Sequence, residues 1–219
     1  MNILALDTSS TACSVALLHE GELSERHEIL ENRHSKFLLA FINELLNQAH
    51  LKIKNLDAVA VGNGPGSFTG IRLGLGVAQG LAFGIHKPLI PVSSLHAIAI
   101  SSSAKNILVA VDARMGEVYW QCFQITESQE LAALKSARLD RPENIVLDKP
   151  GLNWQGLGSG FDQYSDQLSV YLSEPGNWIQ NVHPQASSII KLARTEIKKT
   201  GMPTDKAILP EYIRDKVTR

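Results

Sequence analysis

The sequence predicts an α/β protein of two lobes, and three observations carry that prediction. Of its 219 residues, 44% are hydrophobic, 20% charged and 6% aromatic, the balance of an ordered globular chain rather than a disordered, collagenous or coiled-coil one. One local pattern then occurs twice, about half a chain apart: an apolar run ending in Asp, a short turn, and an apolar run returning. Between the two copies, strand and helix signals alternate, as they do where helices pack on a sheet.

The first copy opens with Ile3-Leu4-Ala5-Leu6 and ends on Asp7. Thr8-Ser9-Ser10-Thr11 makes the turn, Cys13 to Leu18 the return strand, and Glu20-Gly21 closes it. His34 to His50 reads as a helix, with Leu38, Phe41, Ile42, Leu45 and Leu46 at three- and four-residue steps. Leu56 to Val61 is a short buried strand, Thr69 to Phe83 a second helix, and Leu89-Ile90-Pro91-Val92 another strand. The second copy runs from Ile107 to Asp112, turns at Ala113-Arg114-Met115-Gly116, and returns from Glu117 to Ile125. Ser101-Ser102-Ser103-Ala104 precedes it, which sets the expected lobes at 1–104 and 105–219, the last segment packing back on the first lobe. Further on, Trp154 to Gly160 reads as a strand entering a glycine turn, Phe161 to Leu172 as helical, and Pro184 to Thr200 as a helix with Ile189, Ile190, Ala193 and Ile197 on one side.

Charge and cysteine usage narrow the function classes. Lys plus Arg is 21 and Asp plus Glu 22, a net charge of −1, so the chain as a whole has no electrostatic grip on nucleic acid. The segment from Lys191 onward nonetheless carries twice as many basic as acidic residues, in a pattern that fits a solvated face or a binding patch. Cys13 and Cys122 lie far apart and make neither a disulfide framework nor a metal knuckle. Asp7 interrupts the first apolar run, and the glycine-rich stretch Leu73 to His86 is too short to span a bilayer, so the expected setting is cytoplasmic, away from membranes.

The most distinctive segment is Gly62-Asn63-Gly64-Pro65-Gly66-Ser67-Phe68-Thr69-Gly70-Ile71-Arg72. Glycines between a strand and a capped helix let backbone N–H groups approach an anion. The segment departs from both common nucleotide fingerprints, because Thr69 stands where GxGxxG needs glycine and no GK[ST] follows. A tight strand-to-helix connection explains it equally well. In the helix behind it, Gly76, Gly80 and Gly84 recur every four residues, although each interior glycine costs roughly 1 kcal/mol against alanine. Such a stripe lets another helix approach closely. The preceding helix is apolar around most of its circumference, so the two helices are expected to form a protein–protein interface carried by His34, Phe37, Leu38, Phe41, Leu45, Arg72, Gly76 and Gly80. The seven histidines show no HxH, HxxxH or HExxH spacing, and neither Ser67 nor Ser159 sits in GxSxG. Asp7 and Asp112 remain as carboxylates that would either order a cation or cap a turn.

Taken together, ILALDTSSTACSVAL, GNGPGSFTGIRLGLGVAQGLA, VDARMGEVYW and PEYIR resemble the TsaB (YeaZ) family, in order from Ile3 to Arg214. The resemblance implies an actin-like ATPase and sugar-kinase type fold, each lobe opening with a β-hairpin. It implies a non-catalytic partner of TsaD, the paralogue that transfers a threonylcarbamoyl group to adenosine beside the anticodon of tRNAs reading ANN codons. That partnership runs through two N-terminal helices, supports recruitment of the ATPase TsaE, and leaves tRNA contact mainly to the partners; alone, the chain is expected to form a homodimer. TsaD-like proteins carry two metal-binding histidines after the Pro-Leu-Ile strand, and aligned there this sequence has Ser94 and Ile98, with His96 between them. No metal, cofactor or catalytic residue is therefore expected. A nucleotide site on Asp7, Ser9, Ser10, Asp112, Gly158 and Ser159 would be vestigial. The competing reading is a free-standing ATP-dependent enzyme of the sugar-kinase type, since paired Asp hairpins and glycine turns also suit that chemistry.

Overall fold

A computed structural model describes residues 1–172, 174, 176–203, 209–211 and 213. It divides into two units, one holding the described residues of Met1–Ala97 and Pro184–Glu211, the other those of Ile98–His183 with Ile213.

In the first unit, β1 (Ile3–Asp7) pairs antiparallel with β2 (Ala12–His19), and β2 with β3 (Glu22–Ile29). On the other side β1 runs parallel to β4 (Ala58–Gly62), and β4 to β5 (Leu89–Val92), giving the order β3-β2-β1-β4-β5. Strand side chains alternate between faces, so each inner strand feeds two cores. Leu4, Leu6, Val15, Leu17, Val59 and Val61 meet α1 (His34–Gln48) and α2 (Phe68–Gly84). Ile3, Ala5, Ala16, Ala58 and Ala60 meet α6 (Ala186–Thr200) on the opposite face. Burial on both sides is why β1 and β4 read as unbroken apolar runs rather than alternating ones.

The docking of α6 is fixed at its first turn. Its N-cap, Gln185, makes no side-chain cap bond. Instead Ala186 N–H donates to Ser14 Oγ at 2.8 Å, and Ser187 N–H to Glu25 Oε1 at 3.0 Å. Ser14 O–H in turn donates to the same Glu25 oxygen at 2.9 Å. Two strands thus satisfy helix amides that would otherwise be orphaned, with a carboxylate at the positive end of the helix dipole.

The second unit repeats the arrangement. β6 (Asn106–Asp112) pairs antiparallel with β7 (Val118–Ile125), which pairs with β8 (Leu131–Ala133) and, off the main path, with β9 (Arg138–Asp140). Parallel to β6 runs β10 (Gln155–Leu157), followed by β11 (Trp178–Ile179), so the order is β8-β7-β6-β10-β11. Each sheet therefore has an antiparallel hairpin-led half and a parallel half. Trp120, Trp154 and Phe161 fill the second unit's core with Leu108, Ala110 and Cys122. The helical stretch expected from Phe161 to Leu172 is three short pieces: α4 (Ser159–Gln163), α5 (Ser165–Leu168) and a 3₁₀ turn. Tyr164, at φ −131°, separates the first two. One further short helix, α3 (Ser94–Ala99), follows β5, and the division between the units falls within it.

Candidate functional site

The candidate site residues of the first unit cluster in two places: the carboxylate at the end of β1 with the glycine segment around it, and the helices α1 and α2.

Asp7 ends β1 with 1% of its surface exposed. Its Oδ1 accepts from Ser9 N–H at 2.7 Å and Ser9 O–H at 2.8 Å, and its Oδ2 from Ser94 O–H at 2.9 Å. Burial outweighs these hydrogen bonds and holds the carboxyl above its ordinary range. The glycine segment closes over the same turn. A Cβ at Gly62 would lie 1.8 Å from Asp7 Oδ2, one at Gly66 2.3 Å from Ser9 O, and one at Gly70 1.9 Å from Thr8 O. Thr8 O–H donates to Gly70 O at 2.7 Å, and Ser67 N–H to Ser9 O at 2.7 Å. The close backbone approach that glycine permits is thus made to the chain's own turn. Ser67 caps α2 by accepting from Gly70 N–H at 3.3 Å. The peptide Gly64–Pro65 is cis, and Ser94 N–H bonds to Gly64 O at 2.7 Å. Ser94 and Ile98, which flank His96 in the sequence, are both buried.

The second unit's counterpart is similarly engaged. Asp112 Oδ1 accepts from Arg114 N–H at 2.9 Å and Tyr164 O–H at 3.2 Å. Asp112 N–H donates to Ser159 Oγ at 3.1 Å. Gly158, at φ +100°, is a left-handed turn, and a Cβ there would meet Ala110 O at 2.5 Å. The candidate nucleotide residues therefore fall into two sets, Asp7, Ser9 and Ser10 in one unit and Asp112, Gly158 and Ser159 in the other, with each carboxylate serving its own hairpin turn.

The residues expected at a partner interface separate into an inner and an outer group. Leu38, Phe41 and Leu45 are buried in the first unit's own core, packed with α2 and the sheet, and are not surface groups. His34 is buried as well, its Nε2–H donating to Ala12 O at 3.1 Å. Phe37 is half-buried, its ring 6.0 Å from that of Phe41. Arg72, Gly76 and Gly80 are exposed, Arg72 lying 3.6 Å over the Phe68 ring. The two most exposed large apolar groups on these helices are Phe83, at 82% exposure, which sequence reasoning passed over, and Leu39, at 54%, which it counted in the apolar girth of the first helix without singling it out. Phe83 follows Gly76 by seven residues and Gly80 by three, a spacing that places all three on one side of the helix.

The glycines of α2 also separate by cause. A Cβ at Gly70 would strike Thr8 O, and one at Gly74 would lie 2.6 Å from Thr8 Oγ1, so both are required inside the unit. At Gly76, Gly80 and Gly84 nothing lies within 4 Å. No packing within the described residues accounts for that second set.

Comparison with known proteins places these features in context. Residues 26–162 match the family model described as TsaD, tRNA N6-adenosine threonylcarbamoyltransferase. The chain is 36% identical to the tRNA threonylcarbamoyladenosine biosynthesis protein TsaB of Haemophilus influenzae, over 100% of this chain and 95% of that one. It is 37% identical to TsaB of Escherichia coli, over 76% of this chain and 74% of the relative. Among solved structures, YeaZ from Pseudomonas aeruginosa has a TM-score of 0.88 at 35% identity, over 96% of this chain and 99% of that one.

Proposed function

Because the chain belongs to the TsaB (YeaZ) family, we propose that it acts in the biosynthesis of threonylcarbamoyladenosine in tRNA, as an assembly subunit without transfer chemistry of its own. Its partner is a TsaD-like catalytic paralogue, bound through the exposed faces of α1 and α2, and the pair recruits a TsaE-like ATPase. The observation that carries this reading is the outer glycine stripe. Each interior glycine weakens this 17-residue helix by roughly 1 kcal/mol, and Gly76 and Gly80 have no contact among the described residues to justify them. A second helix lying along the stripe does, with Phe83 beside it as an aromatic anchor. In the absence of the paralogue, the same surface pairs with a second copy across a two-fold axis.

The competing reading, an ATP-dependent enzyme in its own right, requires Asp7 to order a cation, whereas both its oxygens are already bonded to Ser9 and Ser94 in a sealed turn. The direct test is the substitution Phe83→Asp, followed by light scattering and titration against the TsaD-like paralogue. Loss of a central aromatic anchor removes about 2 kcal/mol or more, so affinity falls by roughly 30-fold or more while the chain remains folded. Unchanged affinity would remove α2 from the interface.

A further inference from the structure

We infer that the outward face of α6 is a phosphate-contacting strip on which the RNA backbone rests, an inference that builds on the tRNA-modification reading above. Lys191, Arg194 and Lys198 are all exposed, at positions i, i+3 and i+7, and so share one side of the helix. The opposite side buries Ile189, Ile190 and Ala193 against the sheet. None of the three cations makes an ion pair among the described residues. The helix has one carboxylate, Glu196, placed off that stripe.

The helix dipole does not account for the arrangement. Cations are favoured in the last turn of a helix, which covers Lys198 and the neighbouring Lys199. Lys191 stands in the first half and Arg194 near the middle, where the dipole offers a cation nothing. Since the chain carries a net charge of −1, the strip is a local concentration of positive charge rather than a share of a basic surface. Its chemistry also selects a mode of recognition. Between the cations the face offers Thr195 and no aromatic ring on which a base could stack. Charge without stacking or planar amides reads the backbone and not the bases.

The position of the strip agrees with the rest of the molecule. α1 and α2 lie on one face of the sheet and α6 on the other, because alternate residues of β1, β2 and β4 supply the two cores. With α1 and α2 committed to the catalytic paralogue, α6 stays open to a polyanion held by the pair.

The test is a titration of tRNA against the complex with the TsaD-like paralogue, across ~50 to 200 mM salt, for the wild-type chain and for Lys191→Gln/Arg194→Gln/Lys198→Gln. Each lost phosphate contact lowers the slope of log affinity against log salt by about 0.7–0.9, so the triple variant flattens it by roughly 2 to 3. Affinity falls equally for substrate and non-substrate tRNAs, since no base is read. The heterodimer forms as before, because the substituted side chains lie away from α1 and α2. An unchanged slope and affinity in an intact heterodimer overturns the proposal. So does loss of the ATPase partner with tRNA binding intact, which assigns the strip to an acidic protein surface. Failure of the wild-type chain to pair with the paralogue defeats the functional reading separately, and the same salt titration on the chain alone still decides the strip.

Discussion

Replacing Gly76 and Gly80 together by alanine separates what the fold needs from what a partner needs. A Cβ at either position meets nothing within 4 Å, so the substitution meets no steric resistance in the isolated chain. Each removes the backbone freedom of a mid-helix glycine, a gain of roughly 0.8–1.0 kcal/mol. Together they stabilise the first unit by about 2 kcal/mol, or on the order of 4–8 °C in midpoint temperature for a chain of this size. Denaturant unfolding followed by circular dichroism, at dilutions where the chain is monomeric, reads this directly. The same two methyl groups occupy the groove along which the partner helix approaches, so affinity for the TsaD-like paralogue falls as stability rises. A partner-bound helix is the one account that predicts opposite signs for the two measurements. No gain in stability would mean the stripe is not open; a gain with full partner affinity would mean nothing packs against it.

Four other outcomes follow from the same geometry. Gly70→Ala, in the same helix, has the opposite sign: its Cβ would sit 1.9 Å from Thr8 O, and unfolding measurements should show a loss of about 3 kcal/mol, whereas a neutral result would contradict the close turn. The Asp7 carboxyl is held above its ordinary 3.8 by burial, so the stability it contributes is full below the unfolded-state value and is lost as pH rises through the folded-state value. Asp7→Asn removes that titration, and its stability relative to the parent chain improves as pH rises above the ordinary carboxyl value; a pH-independent difference would refute the assignment. Ser14→Ala deprives Ala186 N–H of its acceptor and costs about 1–2 kcal/mol, seen as faster hydrogen exchange in the first turn of α6. Burial pushes the Cys13 thiol up to about 12 and the Cys122 thiol to about 11, so neither is alkylated at about pH 8 until the chain unfolds, and rapid labelling of the folded protein would count against both placements.

What the sequence disclosed, and what it withheld, divides along physical lines. Both hairpins were legible because a buried apolar strand ending in Asp, then a short turn and a returning apolar strand, is a strong local pattern. The helix expected over His34 to His50 is α1, His34–Gln48, since its apolar spacing is set by one core. β3 left no such trace. As an edge strand its side chains are half-buried by polar contacts: Arg26 pairs with Glu28 at 3.0 Å and Glu44 at 3.3 Å and lies 5.3 Å over the Phe41 ring. No apolar alternation results. The apolar breadth of α1 pointed to an uncovered surface, but α2 and the sheet cover it from two directions, and Leu38, Phe41 and Leu45 are spent inside. Spacing likewise revealed a cluster of glycines without distinguishing Gly70, forced by Thr8, from Gly76, which touches nothing. That distinction depends on residues more than sixty positions away in the chain, and only the folded arrangement supplies it.

The most direct measurement is reconstituted threonylcarbamoylation of tRNA by the TsaD-like and TsaE-like partners, run without this chain, with it, and with its Phe83→Asp variant. The account predicts that turnover requires the chain, that the chain alone neither transfers the group nor hydrolyses ATP, and that the variant falls to the level seen without it. Equal turnover in all three reactions would contradict it.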